Sequence, residues 1–136
     1  MSNPTEPTLT TMLSPRGALR AIQFYAQAFG AVEEVAQRIV QEDGRIGHAE
    51  IRIGDAVLML ADEFPEIGVC SPETLGGAAL LLLLRVPDTD AAMERALAAG
   101  AKETRAAADN PYGRTGKVED PFGYGWMLLG PNREQS

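Results

Sequence analysis

Cysteine and histidine are almost absent from this sequence, with Cys70 and His48 as the single examples. A lone cysteine excludes an intramolecular disulfide and every paired-thiol zinc or redox motif. Long apolar runs are also missing. The longest, residues 78–84, is closed by Arg85 and falls far short of the roughly 20 residues that a membrane span needs. We therefore expect a chain in a reducing compartment with no membrane partner.

Basic residues are scarce, because 12 Lys and Arg stand against 19 Asp and Glu, which gives a net charge of -7. Such a chain repels a phosphate backbone, so no nucleic acid partner is predicted. A cationic or neutral small molecule is more compatible with this surface, although an acidic balance more often serves only solubility. The N-terminal segment lacks the basic start and apolar core of a targeting peptide, which predicts a cytoplasmic protein.

What the sequence does contain is enough hydrophobic content, 45% over 136 residues, for one domain with a real core. Its first half reads as a strand, a helix opened by Ser14-Pro15 and closed by Gly30, and then further strands. The predicted strands of this half cover residues 9–13, 32–40, 48–53 and 56–61.

The second half repeats that order, with a helix over residues 88–99 that Gly100 ends. Its predicted strands cover residues 78–86, 102–107, 114–119 and 124–129. Pro and Gly are dense in the intervening segment, as is typical of a connection. The boundaries predicted are module one at about 8–62, a linker at 63–77 and module two at about 78–130.

Matching landmarks indicate that the halves are copies of one unit. Gly100 follows Gly30 by 70 residues, and Met127 follows Met59 by 68, so the halves align with a two-residue deletion. A duplicated strand-helix-strands unit is predicted to enclose a pocket for a small molecule.

Several segments carry a family resemblance: AIQFY and AFGA in the first helix, Gly-His-Ala-Glu at 47–50, Gly-Asp at 54–55, and Asp-Pro-Phe-Gly at 120–123 followed by Trp126. In these the chain resembles the vicinal oxygen chelate superfamily of glyoxalases, extradiol dioxygenases and fosfomycin- and bleomycin-resistance proteins, and within it the PhnB-like group. The resemblance implies an α+β fold in which two tandem βαβββ modules form a curved mixed sheet around a central cleft, with the helices outside. It also implies a homodimer.

Enzymes of this superfamily hold a divalent metal in the cleft through His, Gln or Glu on the first and last strands of each module. Carried onto this sequence, the resemblance places those positions at Thr10 and Leu81 on the first strands and at Met59 and Met127 on the last. A thioether is a soft ligand and a poor match for hard divalent ions. No metal and no cofactor are therefore predicted.

Two groups of residues are candidates for the site. His48 and Glu50 alternate with apolar residues and so share one strand face, where Glu50 can orient His48 as a general base or where both simply face solvent. Met59 and Met127 are predicted to form an adaptable apolar cleft floor, or ordinary core. Further ligand-binding candidates are the cations Arg85 and Arg114 and the aromatic residues Tyr112 and Trp126.

Three functions remain open at this point. The first is a metal-free protein that sequesters an apolar or aromatic compound such as an antibiotic, as bleomycin-resistance proteins do. The second is a glyoxalase-like lyase or isomerase, or a dioxygenase, that uses a displaced metal or the pair of His48 and Glu50. The third is a dimeric interaction module whose cleft is vestigial.

Overall fold

A computed structural model describes residues 4–133, which form two successive units of strand, helix and further strands. The elements of the first unit are β1 (Thr11–Leu13), α1 (Ala18–Phe29), β2 (Val32–Glu33), β3 (Ile39–Val40), β4 (Ile46–Ile53) and β5 (Ala56–Leu60). The connecting segment contains a 3-10 turn (Pro65–Ile67) and the short helix α2 (Pro72–Leu75). The second unit comprises β6 (Leu81–Arg85), α3 (Thr89–Ala99), β7 (Lys102–Asn110), β8 (Gly113–Glu119) and β9 (Gly125–Gly130).

The strands form two mixed sheets, ordered β1-β5-β4-β2 with β3 also on β4, and β6-β9-β8-β7. In each sheet the first and last strands of the unit pair in parallel, which sets Met12 beside Met59 and Leu83 beside Met127. The predicted α+β class and the two βαβββ modules are confirmed. The single curved sheet is replaced by two, because strands of different modules do not pair within residues 4–133.

The two main helices cover one face of the sheets and pack against each other. Both glycine stops are confirmed: Gly30 and Gly100 adopt left-handed φ angles of 73° and 119° and close the helices through backbone N–H groups. Helix α1 begins at Ala18, later than predicted from Ser14-Pro15. The carboxylate of Asp62 accepts hydrogen bonds from the backbone N–H groups of Gly17 (3.2 Å) and Ala18 (2.7 Å) and so caps α1 from the other end of its module.

The strand predicted over residues 32–40 is wrong as a continuous element. Only β2 and β3 form, and a 3-10 turn at Val35–Gln37 separates them. Arg38 turns back to pair with Glu33 through Nε to Oε2 at 2.8 Å. The apolar side chains that suggested a strand, including Val32, Val35, Ile39 and Val40, remain exposed. These β-branched residues are typical of a strand, but their side chains are not packed in a core and do not hold the segment in one continuous strand.

A buried carboxylate joins the two modules. Asp120 accepts hydrogen bonds from the Tyr25 hydroxyl on α1 (2.5 Å) and from Trp126 Nε1 on β9 (2.9 Å). Its other oxygen accepts the backbone N–H groups of Phe122 and Tyr124 at 2.9 and 3.0 Å. Burial raises the pKa of Asp120, although these hydrogen bonds act to lower it. Burial also raises the pKa of Tyr25 well above its usual range. The Asp-Pro-Phe-Gly segment at 120–123, which the family resemblance singled out, thus also supplies the polar centre of the core.

A second polar cluster stabilises the segment predicted as a linker. Glu63 accepts hydrogen bonds from Thr74 Oγ1 (2.6 Å), the Ser71 backbone N–H (3.1 Å) and Arg16 Nε (3.0 Å). These donors, with Thr74 contributing most, lower the pKa of Glu63 to about 2. The segment is therefore fastened to the start of α1 rather than loose.

The lowered pKa of Glu63 predicts a loss of stability in acid. A carboxylate whose pKa is depressed by folding stabilises the protein above its ordinary value of 4.5, and this contribution disappears as the pH falls from there to about 2. The urea midpoint of Glu63→Gln is expected to change less over this pH range than that of the wild type. Glu42→Gln, at an exposed turn, is the control and should keep the wild-type slope.

Candidate functional site

Each sheet has an open face that turns away from the helices. Side chains that alternate with the buried ones line these faces, and several are large and apolar: Met12 is 53% exposed, Leu81 47% and Leu83 52%. Met59 and Met127 lie in the middle of their sheets on these faces and are half-buried. Two apolar and accessible sheet faces are the features of this chain that best fit a ligand.

The strand register gives the two open faces matching central rows. On the first sheet, Met59 lies between Met12 and Glu50. On the second sheet, Met127 lies between Leu83 and Lys117. Each row therefore has an apolar residue on the first strand of the module, a methionine on the last and a charged residue on the strand before the last.

The polar pair predicted on β4 is formed. His48 Nε2 lies 3.2 Å from Glu50 Oε1, and both side chains are mostly buried on the open face of the first sheet. Glu50 is thus placed to orient the imidazole, as the sequence suggested. One residue further on this face, Arg52 approaches Glu34 at 4.0 Å, so the charges of the first sheet occur in pairs.

The remaining candidate residues are spread over the second module. Arg114 contacts Asp90 on α3 through Nε at 2.8 Å and Asp109 on β7 through Nη1 at 3.0 Å, and its donation lowers the pKa of Asp90. Tyr112 stands 67% exposed at the β7–β8 turn, and Trp126 is 2% exposed on the helix side of β9. The structure therefore does not bring these three together with Met59 and Met127.

Arg85 lies at the end of β6, in an apolar groove of about 590 Å³ between the modules. The groove is bordered by the end of α1 at Phe29, the β4–β5 turn and the start of α3. Leu83 belongs both to this groove and to the open face of the second sheet. Arg95 reaches into it from α3 and donates to the Gln27 carbonyl at 2.7 Å, which closes the end of α1.

The residues at the metal positions implied by the resemblance do not fit a metal. Met59 and Met127 offer only thioethers, and Thr10, just before β1, and Leu81 offer no imidazole or carboxylate. The register adds that Met59 lies between Met12 and Glu50 and Met127 between Leu83 and Lys117, so Glu50 is the one carboxylate directly beside these methionines. No cluster of three or more His, Cys, Asp or Glu suited to a metal occurs in the part of the chain from 4 to 133.

Sequence reasoning missed Met12, Leu83 and Lys117 as members of these faces, and also Arg105, which lies opposite Lys117 on β7. Parity with Leu81 was the one available signal for Leu83. The other three depend on which residues lie opposite each other on neighbouring strands, and this register is set by long-range pairing.

Among the described residues, no helix is long and apolar enough to cross a membrane.

Comparisons with known proteins agree with this geometry. Residues 11–128 match the model of the Glyoxalase/Bleomycin resistance protein/Dioxygenase superfamily. An uncharacterised protein of Mycobacterium bovis is 41% identical over 133 residues, which is 95% of this chain and 86% of that protein. The PhnB protein of Bacillus cereus has a TM-score of 0.67 at 18% identity, with 90% of this chain and 98% of that one covered. TnmS3, an antibiotic binding protein from Streptomyces sp. CB03234, has a TM-score of 0.68 at 22% identity, with 96% and 100% covered.

Proposed function

The chain belongs to the glyoxalase/bleomycin resistance protein/dioxygenase superfamily, and from this premise we propose that it binds a small apolar or aromatic compound, such as an antibiotic, without a metal. The observation that supports this most is the pair of central rows on the open sheet faces. Met59 and Met127 occupy their centres, each beside an apolar residue on the first strand of its module. Methionine adapts its shape to flat or irregular ligands. The similarity to an antibiotic binding protein supports the same reading.

The cleft in this proposal is completed by a second copy of the chain. Each open sheet face is one wall, and the two faces of a single chain are left uncovered, with Met12, Leu81 and Leu83 about half exposed. A pocket that binds a small molecule buries most of it between two walls. Apolar patches of this kind on the strands at the sheet edges are typical of interaction surfaces. In a symmetric homodimer, the first sheet of one copy would face the second sheet of the other.

Sedimentation equilibrium tests this assembly. The wild type is expected at twice the chain mass of 14.5 kDa, and Leu83→Lys is expected to shift the protein toward monomer because it adds a cation beside Arg85 on the edge strand. Leu75→Lys, on the exposed side of α2, should leave the dimer intact. A monomeric wild type at all concentrations contradicts the two-copy cleft.

The second candidate function is a lyase, isomerase or dioxygenase, and it is favoured by the 3.2 Å contact between His48 and Glu50. An imidazole held by a carboxylate is a common general base. For any substrate that the wild type converts, His48→Asn is expected to lower kcat by about 100-fold or more. Unchanged turnover in this variant would remove the pair from the mechanism.

A further inference from the structure

The central row of the second sheet runs from two cations to two apolar side chains. Register places Arg105 opposite Lys117, Lys117 opposite Met127, and Met127 opposite Leu83. Neighbouring strands are about 4.8 Å apart, so both cations lie within roughly 10 Å of the methionine. The aliphatic stems of these side chains can extend along an apolar ligand while their charged ends reach a polar group on it.

These cations differ from the charges of the first sheet because they lack partners. Neither Arg105 nor Lys117 makes an ion pair within 4 Å with any residue from 4 to 133. On the first sheet, His48 has Glu50 and Arg52 has Glu34. The sheet faces are therefore electrostatically unequal, and the positive one is open to a ligand.

The imbalance extends over the second sheet. Arg85 shares the open face with the central row, and Lys102 also lies there but opposite Glu119, so the charges of that cross-strand pair offset each other. This positive face stands out in a chain whose net charge is -7. Enclosing unpaired cations beside Met127 and Leu83 is unfavourable unless a counter-charge enters with the ligand.

We propose that the bound compound is an amphipathic organic anion whose carboxylate, sulfonate or phosphate group contacts Lys117 and Arg105 while its apolar body lies on Met127 and Leu83. This inference rests on the proposed function and narrows its ligand class. The net charge of the chain favoured a neutral or cationic compound, whereas the local charges of the face favour an anionic one.

Two dyes with one aromatic skeleton test the proposal: anilinonaphthalene sulfonate, which is anionic, and N-phenyl-naphthylamine, which is neutral. Fluorescence titration gives the Kd of each. Lys117→Met keeps an apolar stem and removes the charge, so it is expected to weaken the anionic dye about tenfold and to change the neutral dye by less than about twofold. Arg105→Gln is expected to act in the same direction with a smaller loss. Lys102→Met makes the same chemical change at a lysine opposite Glu119, and it should leave the Kd of both dyes within about twofold of the wild-type values.

The outcomes separate this inference from the function on which it rests. If the neutral dye binds but Lys117→Met leaves the Kd of the anionic dye unchanged, the anion inference is overturned and the proposed function is not. Equal weakening of both dyes also overturns it, because Lys117 then acts by packing. If Lys117→Met changes only the dissociation constant of the dimer, Lys117 pairs with a carboxylate of the second copy rather than with the ligand, and the anion inference fails. If the wild type binds neither dye, the proposed function fails, and this inference fails with it.

Discussion

Replacing Asp120 by Asn is expected to lower the free energy of unfolding by about 3 kcal/mol and the Tm by roughly 10 °C. One amide oxygen can still accept the backbone N–H groups of the turn. The amide nitrogen, however, would face the Tyr25 hydroxyl and Trp126 Nε1, which now donate to the carboxylate. The Tyr25 hydroxyl can rotate and accept, but Trp126 Nε1 is donor-only and would be left buried without a partner.

The pH dependence of this effect has a defined sign. Because burial raises the pKa of Asp120 in the folded protein, the wild type becomes more stable at this site as the pH falls through the raised value, and the variant lacks this gain. The difference in urea midpoint between wild type and Asp120→Asn is therefore expected to widen in mild acid. Asp55→Asn, at an exposed turn, is the control, and its free energy of unfolding should stay within about 0.5 kcal/mol of the wild-type value. An equally small loss for Asp120→Asn would contradict the role assigned to this carboxylate.

The double substitution of Met59 and Met127 by Gln is expected to weaken the neutral dye by about 100-fold. Burying a methionine side chain contributes about 1.5–3 kcal/mol, so partial burial against a ligand corresponds to roughly tenfold in Kd for each residue. Gln has nearly the same size and keeps the shape of the cleft. Both residues lie half-buried on open faces, so the Tm of the double variant should change little.

Leu75→Gln is the control for this prediction, because it removes an apolar side chain that is 70% exposed on α2, outside both open faces. It should bind the dye as the wild type does. Dye affinity within about twofold of wild type in the double methionine variant would show that the dye binds elsewhere, and the groove beside Arg85 would be the next place to test.

Local signals account for the parts of the fold that the sequence predicted. Gly30 and Gly100 ended the helices because a left-handed residue is needed there and glycine adopts it without strain. The matching positions of Met59 and Met127 in the last strands followed from the repeat. The polar alternation at residues 48–53 was enough to place His48 and Glu50 on one face.

Long-range pairing explains the parts that could not be predicted. The segment 32–40 is rich in β-branched residues, yet their side chains are exposed rather than packed in a core, and the segment forms only β2 and β3. The cap that Asp62 provides for α1 depends on a residue more than 40 positions away. Net charge likewise does not describe the face around Lys117, where Arg105 lies opposite Lys117, because an average over the chain does not describe one sheet.

The central claim, binding by apolar contact in a cleft without a metal, is tested most directly by titrating N-phenyl-naphthylamine into the chelator-treated protein, with and without added Zn²⁺, Ni²⁺ or Mn²⁺. We predict saturable binding after chelation, with a Kd that none of the ions changes by more than about twofold. Binding that disappears on chelation and returns with one of the ions would contradict the claim.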